Sequence, residues 1–100
     1  MYREKIKDVL ENNKDLFQKL DFYLPTVKKV HGKDHEEIFE VDMIYNSIKE
    51  NLEKSNFDKL QDNFKNLRKV TNDYTIPQGT CETYEAVHKM LNKLDKDLMV

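Results

Sequence analysis

Apolar residues recur at spacings of three and four along almost the whole chain, and no stretch sustains strand-like alternation. That pattern commits most residues to amphipathic helices, whose apolar stripes must be buried against one another. Punctuation is sparse, with two glycines and two prolines in 100 residues. Gly32 falls between two periodic segments, and Pro77 and Gly79 fall between two others. The first segment runs from about Tyr2 to Val30 and carries Ile6, Val9, Leu10, Leu16, Phe17, Leu20, Leu24, Val27 and Val30. Asn12 and Asn13 weaken its stripe. Pro25 lacks an N–H and predicts a kink or break near Asp21 to Leu24, giving one bent helix or a long helix followed by a short one.

Gly32 suits a left-handed C-terminal cap. Asp34 with Glu37 reads as the start of a second helix that buries Ile38, Val41, Ile44 or Tyr45, Ile48 and Leu52. Ser55 and Asp58 open a third, with Phe57, Leu60, Phe64, Leu67 and Val70 facing inward. Asn72 to Thr80 is the longest loop, and Thr80 is placed as the N-cap of a last helix. The apolar face there is Cys81, Tyr84, Val87, Leu91, Leu94 and Leu98. Helical segments of similar reach joined by short loops predict an all-α fold. The expected form is one domain over residues 1–100, an antiparallel up-down-up-down four-helix bundle with its first helix kinked near Pro25.

Composition narrows the function. Charged residues make up 36% of the chain but are mixed in sign, and the net charge is −2. Nothing here draws the chain to nucleic-acid phosphates or anionic lipid. No apolar stretch approaches the ~20 residues that span a bilayer, and charges interrupt the first apolar run, unlike a secretory leader. The single cysteine, Cys81, excludes an internal disulfide and fits a reducing compartment. The expectation is a cytoplasmic protein with neither nucleic acid nor membrane as partner. No glycine-rich phosphate loop and no serine–histidine–acid spacing occurs, so no catalytic residue is nominated and the reading leans away from an enzyme.

The chain has three histidines, and two of them fall in His31-Gly32-Lys33-Asp34-His35-Glu36-Glu37. His31 and His35 are the candidate metal ligands. Their spacing of four has force only on one helical face, whereas His31 is expected to end one helix and His35 to begin the next. A histidine near a helix C-terminus and carboxylates in a first turn both favour the helix dipole without a metal. His88 is expected to be partly buried and hydrogen-bonded. Cys81 is read as a small buried apolar residue, the alternative being a thiol activated at a helix N-terminus.

Two runs and one short segment carry a family resemblance. Val27 to Glu37, V-K-K-V-H-G-K-D-H-E-E, is similar to the "KV…VHG…HPE" segment of the hemerythrin-like domain in di-iron iron–sulfur cluster repair proteins. Leu67 to Pro77 with Cys81-Glu82-Thr83-Tyr84 resembles that family's "LR..TN.Y..P…C.TY" segment, and Leu94 to Leu98 its "LE.DL". The resemblance implies a four-helix bundle around a non-haem di-iron centre, serving repair of iron–sulfur clusters under oxidative or nitrosative stress. Residue by residue, only His31 falls on one of the family's ligand positions. The first-helix ligand falls near Leu10 and the "HD" histidine on Phe57, followed by Asp58. The "HM..EE…LFP" segment has no counterpart between Leu52 and Phe57, nor does "HI..ENN…LFP" before the sequence ends at Val100.

Leucine and phenylalanine cannot ligate iron, and the reading places them as apolar core where the ligands would stand. The resulting expectation is a degenerate hemerythrin-like module without a di-iron site or other cofactor. It would act by binding a protein partner or by self-association, as a homodimer for instance. The alternative keeps iron: a stress-response or cluster-repair protein in which His31, His35 and nearby carboxylates form a reduced site, or two chains complete one between them.

Overall fold

In the computed structural model the apolar stripes settle into helices α1 (Tyr2–Asn12), α2 (Lys14–His31), α3 (Glu37–Glu53), α4 (Phe57–Thr71) and α5 (Glu82–Met99). The structure describes residues 2–99, with side chains from Glu4 onward, and no strand occurs among them. Met1 and Val100, the ends of the expected domain, lie outside the described residues. The fold is all-α. Its radius of gyration, 13.0 Å, is that of a close-packed domain of this length.

The buried set follows the stripes: Ile6, Val9, Leu16, Leu20, Leu24 and Val27 from α1 and α2, and Ile38, Val41, Tyr45, Ile48 and Leu52 from α3. Leu60, Phe64 and Leu67 from α4 join Tyr84, Val87, Leu91, Leu94 and Leu98 from α5. Each of these side chains contributes about 1.5–3 kcal/mol by leaving water. The most extensive packing is α3 on α4 and α2 on α5, with α1 on α5, α2 on α3 and α4 on α5 completing the principal contacts.

The first segment breaks at Asn13, not at Pro25. Asn13 leaves helical geometry (φ −119°, ψ 24°), yet its N–H still reaches the Val9 carbonyl and its carbonyl still accepts from Phe17 N–H, both at 3.0 Å. The result is a short helix, then a long one, around a one-residue bend. The buried Asn13 amide holds that bend: Nδ2 donates to the Val9 carbonyl (2.9 Å), and Oδ1 accepts from Lys93 Nζ on α5 (2.6 Å). α2 continues through Pro25 because that residue is exposed.

Four other boundary expectations need correction. Gly32 is right-handed (φ −57°, ψ −30°); it is buried, and a Cβ there would lie 2.6 Å from Phe39 Cζ, so close approach, not a left-handed cap, calls for glycine. Asp34 caps nothing, since α3 starts from Glu36 with no side-chain cap. Asn56, not Ser55, caps α4 by accepting from Lys59 N–H (3.2 Å). The Thr80 hydroxyl donates back to the Pro77 carbonyl (2.8 Å) and does not cap α5.

α4 ends in three successive left-handed residues, Asn72, Asp73 and Tyr74, at φ 51°, 56° and 63°. Each such conformation costs a non-glycine residue about 1–2 kcal/mol, less for Asn and Asp. Specific bonds hold this turn. The Thr71 hydroxyl accepts from Tyr74 N–H (2.9 Å), Asp73 N–H donates to the Arg68 carbonyl (2.8 Å), and the Tyr74 hydroxyl donates to Asp95 on α5 (2.8 Å).

Candidate functional site

The end of α2, the turn into α3 and the first turns of α5 bring all three histidines of the chain around one side chain, Tyr84. Tyr84 is fully buried. His88, one turn later on α5, stacks on it with ring centroids 4.8 Å apart and planes at 20°. His31 meets it edge-on (5.4 Å, 82°), and His35 lies tilted against it at 5.5 Å. The Tyr84 hydroxyl donates to Glu37 Oε1 (3.2 Å), which also faces His35 Nδ1 at 3.2 Å. Burial, then the charge of Glu37 and its hydrogen bond, push the Tyr84 phenol upward, so it stays protonated and donating.

His88 is 2% exposed. Burial lowers its pKa below the ordinary 6.5, opposed by the bond to the Tyr84 carbonyl and by the charge of Glu37. Its Nδ1 lies 3.2 Å from that carbonyl, which fixes the proton on Nδ1 in the neutral ring. Cys81 is exposed rather than buried, contrary to its reading as a core residue. It precedes the first helical residue of α5, outside the inward stripe, and its Sγ lies 3.1 Å from His31 Nε2.

The two sequence candidates for a metal, His31 and His35, are thus neighbours, with ring centroids 6.1 Å apart. Their polar contacts are separate: His31 Nε2 is turned to Cys81 and His35 Nδ1 to Glu37. Among the described residues no group of three or more His, Cys, Asp or Glu is placed to hold a metal ion.

The interior does not fit a di-iron centre either. Such a centre needs several carboxylates and imidazoles converging inside the bundle. The buried polar side chains among the described residues are Asn13, Asn51, Thr71, His88 and Asp95. His88 is engaged by Tyr84, and Asp95 is taken by Arg68 and Tyr74. The expectation that Leu10 fills a ligand position as core needs correction, since Leu10 is 37% exposed on the flank of the α1 stripe. Phe57 is half-buried at the first turn of α4.

A second polar cluster escaped the sequence reading. Asp95, 6% exposed, accepts from Arg68 Nε (2.7 Å), Arg68 Nη2 (2.6 Å) and the Tyr74 hydroxyl (2.8 Å). The bond to Asp95 holds the Arg68 guanidinium above its ordinary pKa. Arg68, Thr71, Asn72 and Tyr74 belong to the second run that carries the family resemblance, and here they build the end of α4 and tie it to α5.

Fold and site together define a class: an all-α protein with a histidine–tyrosine–cysteine cluster where α2, α3 and α5 meet. No family model matches the chain, and no solved structure matches it. No helix among the described residues is long and apolar enough to cross a membrane.

Proposed function

We propose that this chain is a degenerate hemerythrin-like module that works by self-association in a reducing, cytoplasmic setting, and not through a di-iron centre. The near-continuity of α1 and α2 across Asn13 supports a four-rod reading of the fold. So does the cycle of packed neighbours, α2 on α3, α3 on α4, α4 on α5 and α5 back on α1 and α2, the adjacency an up-down-up-down bundle requires.

The observation that carries self-association is the outer groove between α3 and α4. Phe39 (48% exposed) and Met43 (71% exposed) stand along it, with Ile44 and Val70 below. Its α3 side bears Glu36 and Glu40, and Lys33 and Lys69 lie on the opposite side and end. None of these four charges forms an ion pair among the described residues. A two-fold axis along the groove sets α3 of one copy over α4 of the other, opposing acidic and basic rims across an apolar centre.

Sedimentation velocity over a micromolar concentration series tests this. The wild-type chain is expected to sediment as a dimer and Met43→Asp as a monomer of unchanged helicity. A wild-type monomer throughout the series would remove the proposal.

A further inference from the structure

We propose that Cys81 and His31 form a thiol–imidazole pair that exchanges with small disulfides, making Cys81 a reversible covalent attachment site. The pair is made by the fold: His31 closes α2 and Cys81 immediately precedes α5, far apart in sequence, yet Nε2 and Sγ lie 3.1 Å apart.

Both partners suit the chemistry. Free cysteine is among the most buried residue types, but Cys81 is exposed, so a reagent can reach its sulfur. His31 is half-buried, and its ring is braced edge-on against the fully buried Tyr84. Tyr84 is itself anchored by Glu37. The imidazole is therefore presented to the thiol from a packed framework and not from a mobile side chain. The α5 amides following Cys81 begin an 18-residue helix, and the first of them lack intrahelical acceptors.

The thiolate is the species that attacks a disulfide sulfur, so the reaction needs a place for the thiol proton. With the ring proton on Nδ1, the Nε2 lone pair takes it. Sγ then attacks one sulfur of a low-molecular-weight disulfide, forming a protein–S–S–R bond as the R–S–S–R bond breaks. The departing R–S⁻ carries the electron pair and leaves with the proton held on Nε2, as R–SH. The small disulfide is itself the oxidant, since its departing sulfur is reduced to a thiol as the Cys81 sulfur is oxidised, and the reverse reaction with R–SH restores the free thiol.

The test measures the rate at which oxidised glutathione adds to the folded chain, by intact mass, at neutral pH. Wild type is expected to react at least about a hundredfold faster than His31→Gln, the low end of what a positioned proton acceptor contributes. Lys65→Gln, at an exposed position of α4 outside this cluster, should keep the wild-type rate. Equal rates for wild type and His31→Gln would overturn the proposal. Should His31→Gln fail to fold, wild type is compared with itself in urea: a faster native rate supports the pair, and an equal or slower one overturns it.

Discussion

Removing the Asp95 carboxylate should be the most damaging single polar change in this protein. Asp95 is buried and accepts three hydrogen bonds from Arg68 and Tyr74. Stripping one partner from a fully buried ion pair costs about 3–5 kcal/mol, but the Arg68 side chain is 39% exposed and can rehydrate. That discounts the ionic part toward the ~1 kcal/mol of a surface pair. The Tyr74 hydroxyl, orphaned in a half-buried site, adds about 1–1.5 kcal/mol. Asp95→Ala should therefore cost about 2–3 kcal/mol and lower the melting temperature by roughly 10–20 °C. Tyr74→Phe alone should cost about 1 kcal/mol. In the Asp95→Ala background it should cost almost nothing, a coupling of about 1 kcal/mol. Urea unfolding of the four chains followed by circular dichroism reads both numbers. The reasoning fails if Asp95→Ala unfolds within about 0.5 kcal/mol of wild type, or if the two changes simply add.

Gly32→Ala would stabilise by about 0.4–1 kcal/mol if only the right-handed backbone mattered. Contact with the Phe39 ring and the Lys28 carbonyl reverses the sign, to a loss of about 1–2 kcal/mol in urea unfolding. Asn13→Ala should cost about 1–2 kcal/mol in the same assay, since it removes the buried amide that holds the bend and its bond from Lys93, which keeps only Asp97. His88 gives a pH dependence: its folded pKa lies below 6.5, so the unfolded chain binds the proton first. Its contribution is intact above pH 6.5 and is lost as pH falls below that value, with a slope of at most about 1.4 kcal/mol per unit. His88→Gln should flatten the stability profile there, and an unchanged slope would contradict the burial argument.

The helices and most of the core were legible because burial imposes the period that the stripe displays: Leu60, Phe64 and Leu67 on α4 sit where spacing put them. Boundaries were less legible, because cap and break positions depend on tertiary partners. Asn13 bends the chain through Lys93, distant in sequence, and Gly32 is required by a ring on the next helix. At Pro25 the break that the local rule allows does not occur, and α2 runs on through this exposed position. For the site, His31 and His35 stood out as rare residues close in sequence. Their meeting with Cys81, Tyr84 and His88 depends on how α5 packs on α2, which no local pattern encodes. Asp95 could have been noticed as a charge on the inward face of α5, between Leu91, Leu94 and Leu98, a position that demands a buried partner.

On the proposed reading the space between the helices is filled by packing and offers no seat for iron. Anaerobic titration with ferrous iron, reading bound metal per chain together with the melting temperature, tests it most directly. No stoichiometric iron and an unmoved transition are expected, with full helicity retained in chelator. Binding at a di-iron ratio, with the rise in melting temperature that tight ligation of the native state must produce, would contradict it.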